Sequence, residues 1–212
     1  QWAVSRQDMS STCELLYRIL VQLDGLEPMS YEEAACLYTG MMTDTGCFSY
    51  NSNRSDIYHI VGQLLTKGID KDKIYRNVFY SYSAERFRLL GYMLYVKLEN
   101  FPEYNASLMT LTRQEQKMFS HKKGDTEGFV NIPLQIQGAR LSVFLREDTE
   151  RPVIRVSLRS VDDFPCNAMA AEFFNGGGHL NAAGGELACS MDEAGDLVRK
   201  ALKKYAPLLK GQ

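Results

Sequence analysis

No Cys-x-x-Cys pair occurs anywhere in this chain, and its five cysteines (Cys13, Cys36, Cys47, Cys166 and Cys189) are scattered and odd in number. Neither a disulfide framework nor a zinc site is expected, and reduced thiols in a cytoplasmic protein are the plain reading. No apolar run approaches the roughly 20 residues that a membrane helix needs, and no basic stretch leads into an apolar block at the N-terminus. A soluble, unexported protein without a membrane partner is expected. A surplus of positive charge is also missing: 24 Lys and Arg stand against 26 Asp and Glu, a formal net charge of −2. That balance argues against coating of long nucleic acid, which needs excess Lys and Arg, but is compatible with a small phosphorylated ligand held in one pocket. Histidine is scarce, with only His59, His121 and His179 present. The chain opens on Gln1, and Trp2-Ala3-Val4 reads like the middle of a strand, so a fragment of a longer protein is expected.

Along the chain, Ser11-Thr-Cys-Glu14 is a capping-box pattern, followed by Leu15, Leu16, Ile19, Leu20 and Leu23 at helical spacing up to Gly25. Ser30-x-x-Glu33 opens a second helix in the same way, which should end near Thr43-Asp44-Thr45-Gly46. Ser55 is the expected cap of a third helix through Leu65, stopped by Gly68, and Asp70 that of a fourth through Tyr80. From Ser83 to Asn100 a helical period predicts a connecting helix, ended by Pro102. The texture then changes. Residues 106–111, 139–145 and 152–158 are short β-type runs, and an amphipathic helix capped by Ser190 is predicted over 191–205. Two α/β units joined by a helix is the economical reading.

Asn175-Gly176-Gly177-Gly178-His179-Leu180-Asn181-Ala182-Ala183-Gly184-Gly185 is the most informative stretch. Successive glycines permit positive φ and let backbone N–H groups converge on an anion without Cβ obstruction. His179 can donate to a phosphate or leaving-group oxygen. A flexible turn before a strand is the plainer use of a glycine triplet. Asn175, His179 and Asn181 on the same loop, with Gly184-Gly185 repeating the steric demand, shift the balance toward a ligand. Upstream, Arg155 and Arg159 share one parity in the strand pattern Val153 to Ser160, so both can face one pocket. Arg159, nearer the strand end, is the expected phosphate contact, because a guanidinium holds phosphate oxygens bidentately.

Asp44 follows an apolar helix and sits between two threonines before Gly46. The residues alone leave two uses open, a turn aspartate or a carboxylate bridging two divalent metals. One aspartate is not a metal site, and a two-metal hydrolase needs several fixed ligands.

Gly40-Met-Met-Thr-Asp-Thr-Gly-Cys-Phe48, together with Phe174-Asn-Gly-Gly-Gly-His-Leu-Asn-Ala-Ala-Gly-Gly185, resembles the DHH phosphoesterase family. Within it the match is to the oligoribonuclease/pAp-phosphatase branch, the nano-RNases, sometimes described as exopolyphosphatase-related. Ser10-Ser-Thr-x-Glu14 and Lys123-Gly-Asp-Thr-Glu-Gly128 are supporting matches. The resemblance implies an α/β fold: the C-terminal portion of a DHH catalytic domain over residues 1–82, a linker helix over 83–103, and a smaller substrate-binding domain with a mixed sheet over 104–212. It implies two Mn²⁺ ions, with Asp44 as the metal-bridging aspartate and Asp44 and His179 as catalytic residues. Gly176, Gly177, Gly178 and His179 match the phosphate-binding loop, Arg159 with Ser160 matches an Arg-Ser pair, and Asn175 and Asn181 complete the expected substrate contacts. The Asp-His-His motif and the other metal ligands of that family are absent from these residues, and the resemblance places them before Gln1.

The resemblance implies a Mn²⁺-dependent phosphoesterase that releases nucleoside monophosphates from short RNA, with pAp as a further substrate. Hydrolysis of a cyclic dinucleotide or of pApA is the alternative within the class, and inorganic polyphosphate a weaker one. From other classes come a nucleotide-binding module without catalysis, and a homodimer built on the apolar face from Ala34 to Met42.

Overall fold

The computed structural model describes Arg6 and residues 8–210, so Trp2-Ala3-Val4 lies outside the described residues. The chain divides into two compact units, residues 1–81 and 82–212.

Among the described residues the first unit is helical. Helices α1 (Thr12–Asp24), α2 (Tyr31–Asp44), α3 (Ser55–Leu65) and α4 (Lys71–Phe79) fall where caps and periodicity predict them. Ser11 accepts from the Glu14 amide, and Ser30 and Glu33 form a reciprocal capping box. One cap differs from expectation. The N-cap of α3 is Arg54, with no side-chain cap, and Ser55 is already inside the helix. The Arg54 side chain is spent instead on Glu14 and Asp56. Glu14 is fully buried and also accepts from the Ser10 amide and hydroxyl and from Arg18. Burial alone would raise its pKa, but the Ser10 and Arg18 hydrogen bonds and the Arg54 charge outweigh burial and hold it below its usual value. On the face from Ala34 to Met42, the residues Ala34, Leu37, Tyr38, Met41 and Met42 are buried with Tyr17, Ile57 and Leu64 in this unit's own core.

The second unit opens with α5 (Ala84–Tyr92), which passes into a π-helical turn over Met93–Lys97. The connecting helix therefore ends earlier than its periodicity predicts, and Glu99–Phe101 pairs as strand β1. Strands β2 (Ala106–Leu111), β3 (Leu141–Glu147), β4 (Ile154–Ser160), β5 (Gly177–His179) and β6 (Ala182–Leu187) complete a six-stranded sheet of order β1-β2-β3-β4-β6-β5. Only β2 and β3 run parallel. Helix α6 (Arg113–Met118) follows β2, α7 (Cys166–Phe173) follows β4, and α8 (Met191–Leu209) closes the unit, running past the expected end at Tyr205.

Because side chains alternate along a strand, register assigns each residue to a face. One face presents Leu108, Val143, Leu145, Val156, Leu158 and Ala183, buried beneath α7 and α8 in a core with Met169, Phe174 and Val198. Over β2 and β3 the other face presents Met109, Leu111 and Phe144, covered by Leu89, Met93 and Phe129. Over β4, β6 and β5 that same face is polar.

Candidate functional site

The glycine run is a hairpin rather than an open loop. Gly177, Gly178 and His179 pair with Gly184, Ala183 and Ala182, making β5 the edge strand of the sheet. Of the three glycines only Gly178 has positive φ, at 145°, while Asn175 takes the left-handed conformation at 49°. Each glycine answers a different demand. A Cβ on Gly176 would overlap the Gly184 carbonyl, and one on Gly178 would lie 2.7 Å from Ala183 Cα, so both are required for the strands to close. A Cβ on Gly177 would meet nothing within 4 Å. Packing does not demand glycine there, and the open space above it is on the polar face.

Cross-strand register builds that face in rows. Arg159 opposes Ala182, which opposes His179, so the guanidinium and the imidazole belong to one row on one face. Ser157, Gly184 and Gly177 form the next row, nearly bare of side chains, and Arg146, Arg155 and Glu186 the one beyond it. A depression of about 670 Å³ lies here, lined by Arg146, Arg155, Ser157, Gly176, Gly184 and Glu186 among others. Arg155 is committed to Asp148, at 2.8 Å, and to Glu186. The Arg155 guanidinium, with the backbone amides of Arg151 and Glu150, holds Asp148 well below the usual carboxylate range. Among the described residues Arg159 makes no ion pair; its guanidinium donates only to the Leu158 carbonyl, at 2.8 Å.

The other expected contacts are placed differently. Ser160 has the opposite parity to Arg159 and is buried; its hydroxyl donates to the Phe164 carbonyl at 2.8 Å and accepts from the Asn181 amide at 2.9 Å. Asn181 donates also to the Asp162 carbonyl, so Ser160 and Asn181 brace the hairpin turn against the end of β4. Asn175 donates to the Glu186 carbonyl and anchors the other end of the hairpin. Of the expected contacts, Arg159 and His179 stand on the polar face with Gly177, while Ser160, Asn175 and Asn181 have the structural partners just given.

Asp44 ends α2 in the first unit and is exposed. It precedes a left-handed run at Gly46, Cys47 and Phe48, pinned by buried Thr45, whose hydroxyl donates to the Met41 carbonyl and accepts from the Phe48 amide. Among the described residues no three His, Cys, Asp or Glu side chains stand together as a metal would require, so these residues do not by themselves fit a two-metal centre. His59 is exposed on α3. His121 lies past the end of α6, half-buried, its pKa lowered first by burial and then by the charge of Arg146. The register also brings Arg146, which the sequence analysis did not single out, to the depression on the polar face.

Residues 115–206, which include Arg146, Arg159 and the whole glycine hairpin, match the DHHA1 domain. The matched residues lie within the second unit. The chain is 28% identical over 186 residues to the bifunctional oligoribonuclease and PAP phosphatase NrnA of Thermus thermophilus, covering 87% of this chain and 54% of that protein. It is 26% identical to the Bacillus subtilis protein of the same name, over 87% of this chain and 57% of that one. The chain thus spans a little over half the length of the curated relatives it matches. Among solved structures, an exopolyphosphatase-related protein from Bacteroides fragilis superposes with a TM-score of 0.94 at 55% identity, over 98% of this chain and 60% of that one. A pGpG-specific phosphodiesterase from Vibrio cholerae, 13% identical with a TM-score of 0.55, shares the fold over 90% of this chain and 72% of its own. No helix among the described residues is long and apolar enough to cross a membrane.

Proposed function

We propose that this chain supplies the nucleotide-holding part of a cytoplasmic phosphoesterase that cleaves short oligoribonucleotides to nucleoside monophosphates and removes phosphate from pAp. The observation that carries the reading is the row in which Arg159, free of any carboxylate among the described residues, shares a sheet face with His179 beside the open space over Gly177. The names of the curated relatives, an oligoribonuclease and PAP phosphatase in both cases, supply the substrate class.

In this reading Arg159 takes two oxygens of the phosphoryl group and fixes its orientation. His179 donates to a third oxygen or to the leaving oxygen. Bare backbone at Gly177 lets the group approach the edge strand without meeting a side chain. The core-packed β4 and the braced hairpin hold these groups still, so that orientation is set before the ligand arrives. Among the described residues Asp44 is the one metal ligand that the family resemblance assigns, no cluster of three such side chains forms there, and no step is assigned to a metal through them.

Titration calorimetry of the chain with AMP tests the reading. Binding is expected in wild type and a loss of about tenfold or more in Arg159→Gln, the scale of one charge-assisted contact. Equal affinity in the two proteins would remove Arg159 from the site.

A further inference from the structure

We propose that the depression between α6 and the loop joining β3 to β4 is a separate anion site, which takes inorganic phosphate in a form that still carries a proton. It lies past the carboxyl ends of β2 and β3, the parallel pair of the sheet, and uses none of Arg159, His179 and Gly177. The inference goes beyond the nucleotide reading given above and does not rest on it.

One side of α6 lines this space. Arg113, Gln116, Lys117 and Ser120 follow at steps of three and four residues, which brings them together along a helix and its last turn. Ser120 takes the left-handed conformation, with φ 50°, and the His121 amide returns to the Gln116 carbonyl at 2.9 Å. That turn closes the helix and delivers the imidazole to the same space. With Thr149 from the loop after β3, these residues line a volume of about 590 Å³.

Two polar atoms of the lining are buried and have no partner among the described residues, Gln116 Oε1 and His121 Nε2. Gln116 is only 2% exposed. Its amide cannot be turned round, because the nitrogen donates to the Glu147 carbonyl at 2.7 Å, so the oxygen is the atom left to accept. Each such atom costs free energy until something bonds to it. Burial lowers the His121 pKa, with Arg146 adding to the shift and Asp125 opposing it, so at neutral pH the ring is uncharged and offers one N–H. Two cations complete the set. Lys117 is exposed and makes no ion pair among the described residues, and the Arg113 guanidinium donates to the Asp148 and Arg151 carbonyls, which leave its charge uncancelled. Among the described residues no carboxylate lines the depression.

These groups together ask for a ligand of one description. Arg113, Lys117, the His121 N–H and the hydroxyls of Ser120 and Thr149 can all donate to an anion, but Gln116 Oε1 can only accept, so the anion must bring a proton of its own. Inorganic phosphate does, because near neutral pH it keeps at least one P–OH, and its dianion matches two uncancelled cations. Sulfate has no such proton, and a phosphate monoester loses its last one above about pH 6. One acceptor among donors therefore selects inorganic phosphate over both.

The test follows the ring C–H signals of the histidines by NMR while the wild-type chain is titrated with potassium phosphate or potassium sulfate at constant ionic strength. With three histidines in the chain, each ring is a separate reporter: His121 for this site, His179 for the nucleotide face, and His59 on α3 for neither. Phosphate is expected to move His121 saturably, at about tenfold lower concentration than sulfate, the scale of one hydrogen bond to a charged group. Gln116→Leu should bring the two anions within about twofold of each other, and Lys117→Gln should weaken both by about threefold, the scale of one exposed charge. Should Gln116→Leu fail to fold, the wild-type preference and the exposed Lys117→Gln variant still decide. A phosphate titration that leaves His121 unmoved, or moves His179 alone, would overturn the site, and an equal response to sulfate would overturn the selection by Gln116. Neither result bears on the AMP titration, so failure here and failure of the nucleotide reading are read separately.

Discussion

The two halves of one sheet face invite comparison. Over β2 and β3 the face is closed by Leu89, Met93 and Phe129, and its strand residues Met109, Leu111 and Phe144 are buried. Over β4, β6 and β5 the same pleat carries Arg155, Ser157, Arg159, Gly184, Gly177 and His179, none of them buried. The opposite face is apolar from β2 to β6. An antiparallel sheet commonly leaves one face to solvent, and the proposed function assigns the ligand to this open half because it carries Arg159, His179 and bare backbone at Gly177. The boundary falls at Arg146.

The largest effect expected breaks the comparison by destroying the open half. Gly176→Val places a side chain into the Gly184 carbonyl, and Gly178→Val adds a strained φ of 145°, so each should cost about 3 kcal/mol or more of stability in the second unit. Denaturant melts followed by hydrogen exchange would check this, the loss of protection appearing first in the hairpin.

Next in size is a pH effect on the closed half. Glu115 accepts from Lys97, Tyr92 and Thr112. Burial opposes its ionisation, but these partners hold its pKa at about 2 against a usual 4.5. A lowered folded pKa means that the stabilisation is complete above about pH 4.5 and is lost as pH falls toward 2. Glu115→Gln should flatten that part of the stability profile of the second unit. A profile with the wild-type slope would show that the carboxylate is not held this way.

The smallest effect sharpens the division of labour at the hairpin. Ser160→Ala removes the acceptor of the Asn181 amide and the donor to Phe164, and should cost about 1 kcal/mol of stability with AMP affinity changed less than twofold. A large loss of affinity with no loss of stability would restore Ser160 as a direct contact.

Much of this was legible in the sequence. Caps at Ser11, Ser30, Asp70 and Ser190 are local chemistry, and the helices begin where those residues put them. Strand β4 alternates buried and half-exposed residues throughout, so the shared face of Arg155 and Arg159 could be read from parity alone. The hairpin could not, because a glycine run has no apolar alternation; its strand β6 is held by pairing with β4, a contact between segments far apart in sequence, and β5 adds to β6. For the same reason nothing local announced that Arg155 would be neutralised and Arg146 left free, since Asp148 and Glu186 reach Arg155 from different segments. Periodicity likewise overran at Ser83 to Asn100, where burial of Leu89 and Met93 and the pairing of Glu99–Phe101 ended the helix early.

The central claim is that the open half of the face binds a nucleotide phosphate over Gly177. Gly177 is the one glycine of the run whose added Cβ would meet no protein atom within 4 Å, so Gly177→Val is expected to separate folding from binding. Thermal melting and AMP titration on wild type and Gly177→Val make the direct measurement. The account predicts melting temperatures within about 2 °C, because no packing contact is made or lost, and AMP binding abolished, because the valine fills the space the phosphate needs. An intact Gly177→Val protein that binds AMP as tightly as wild type would contradict it.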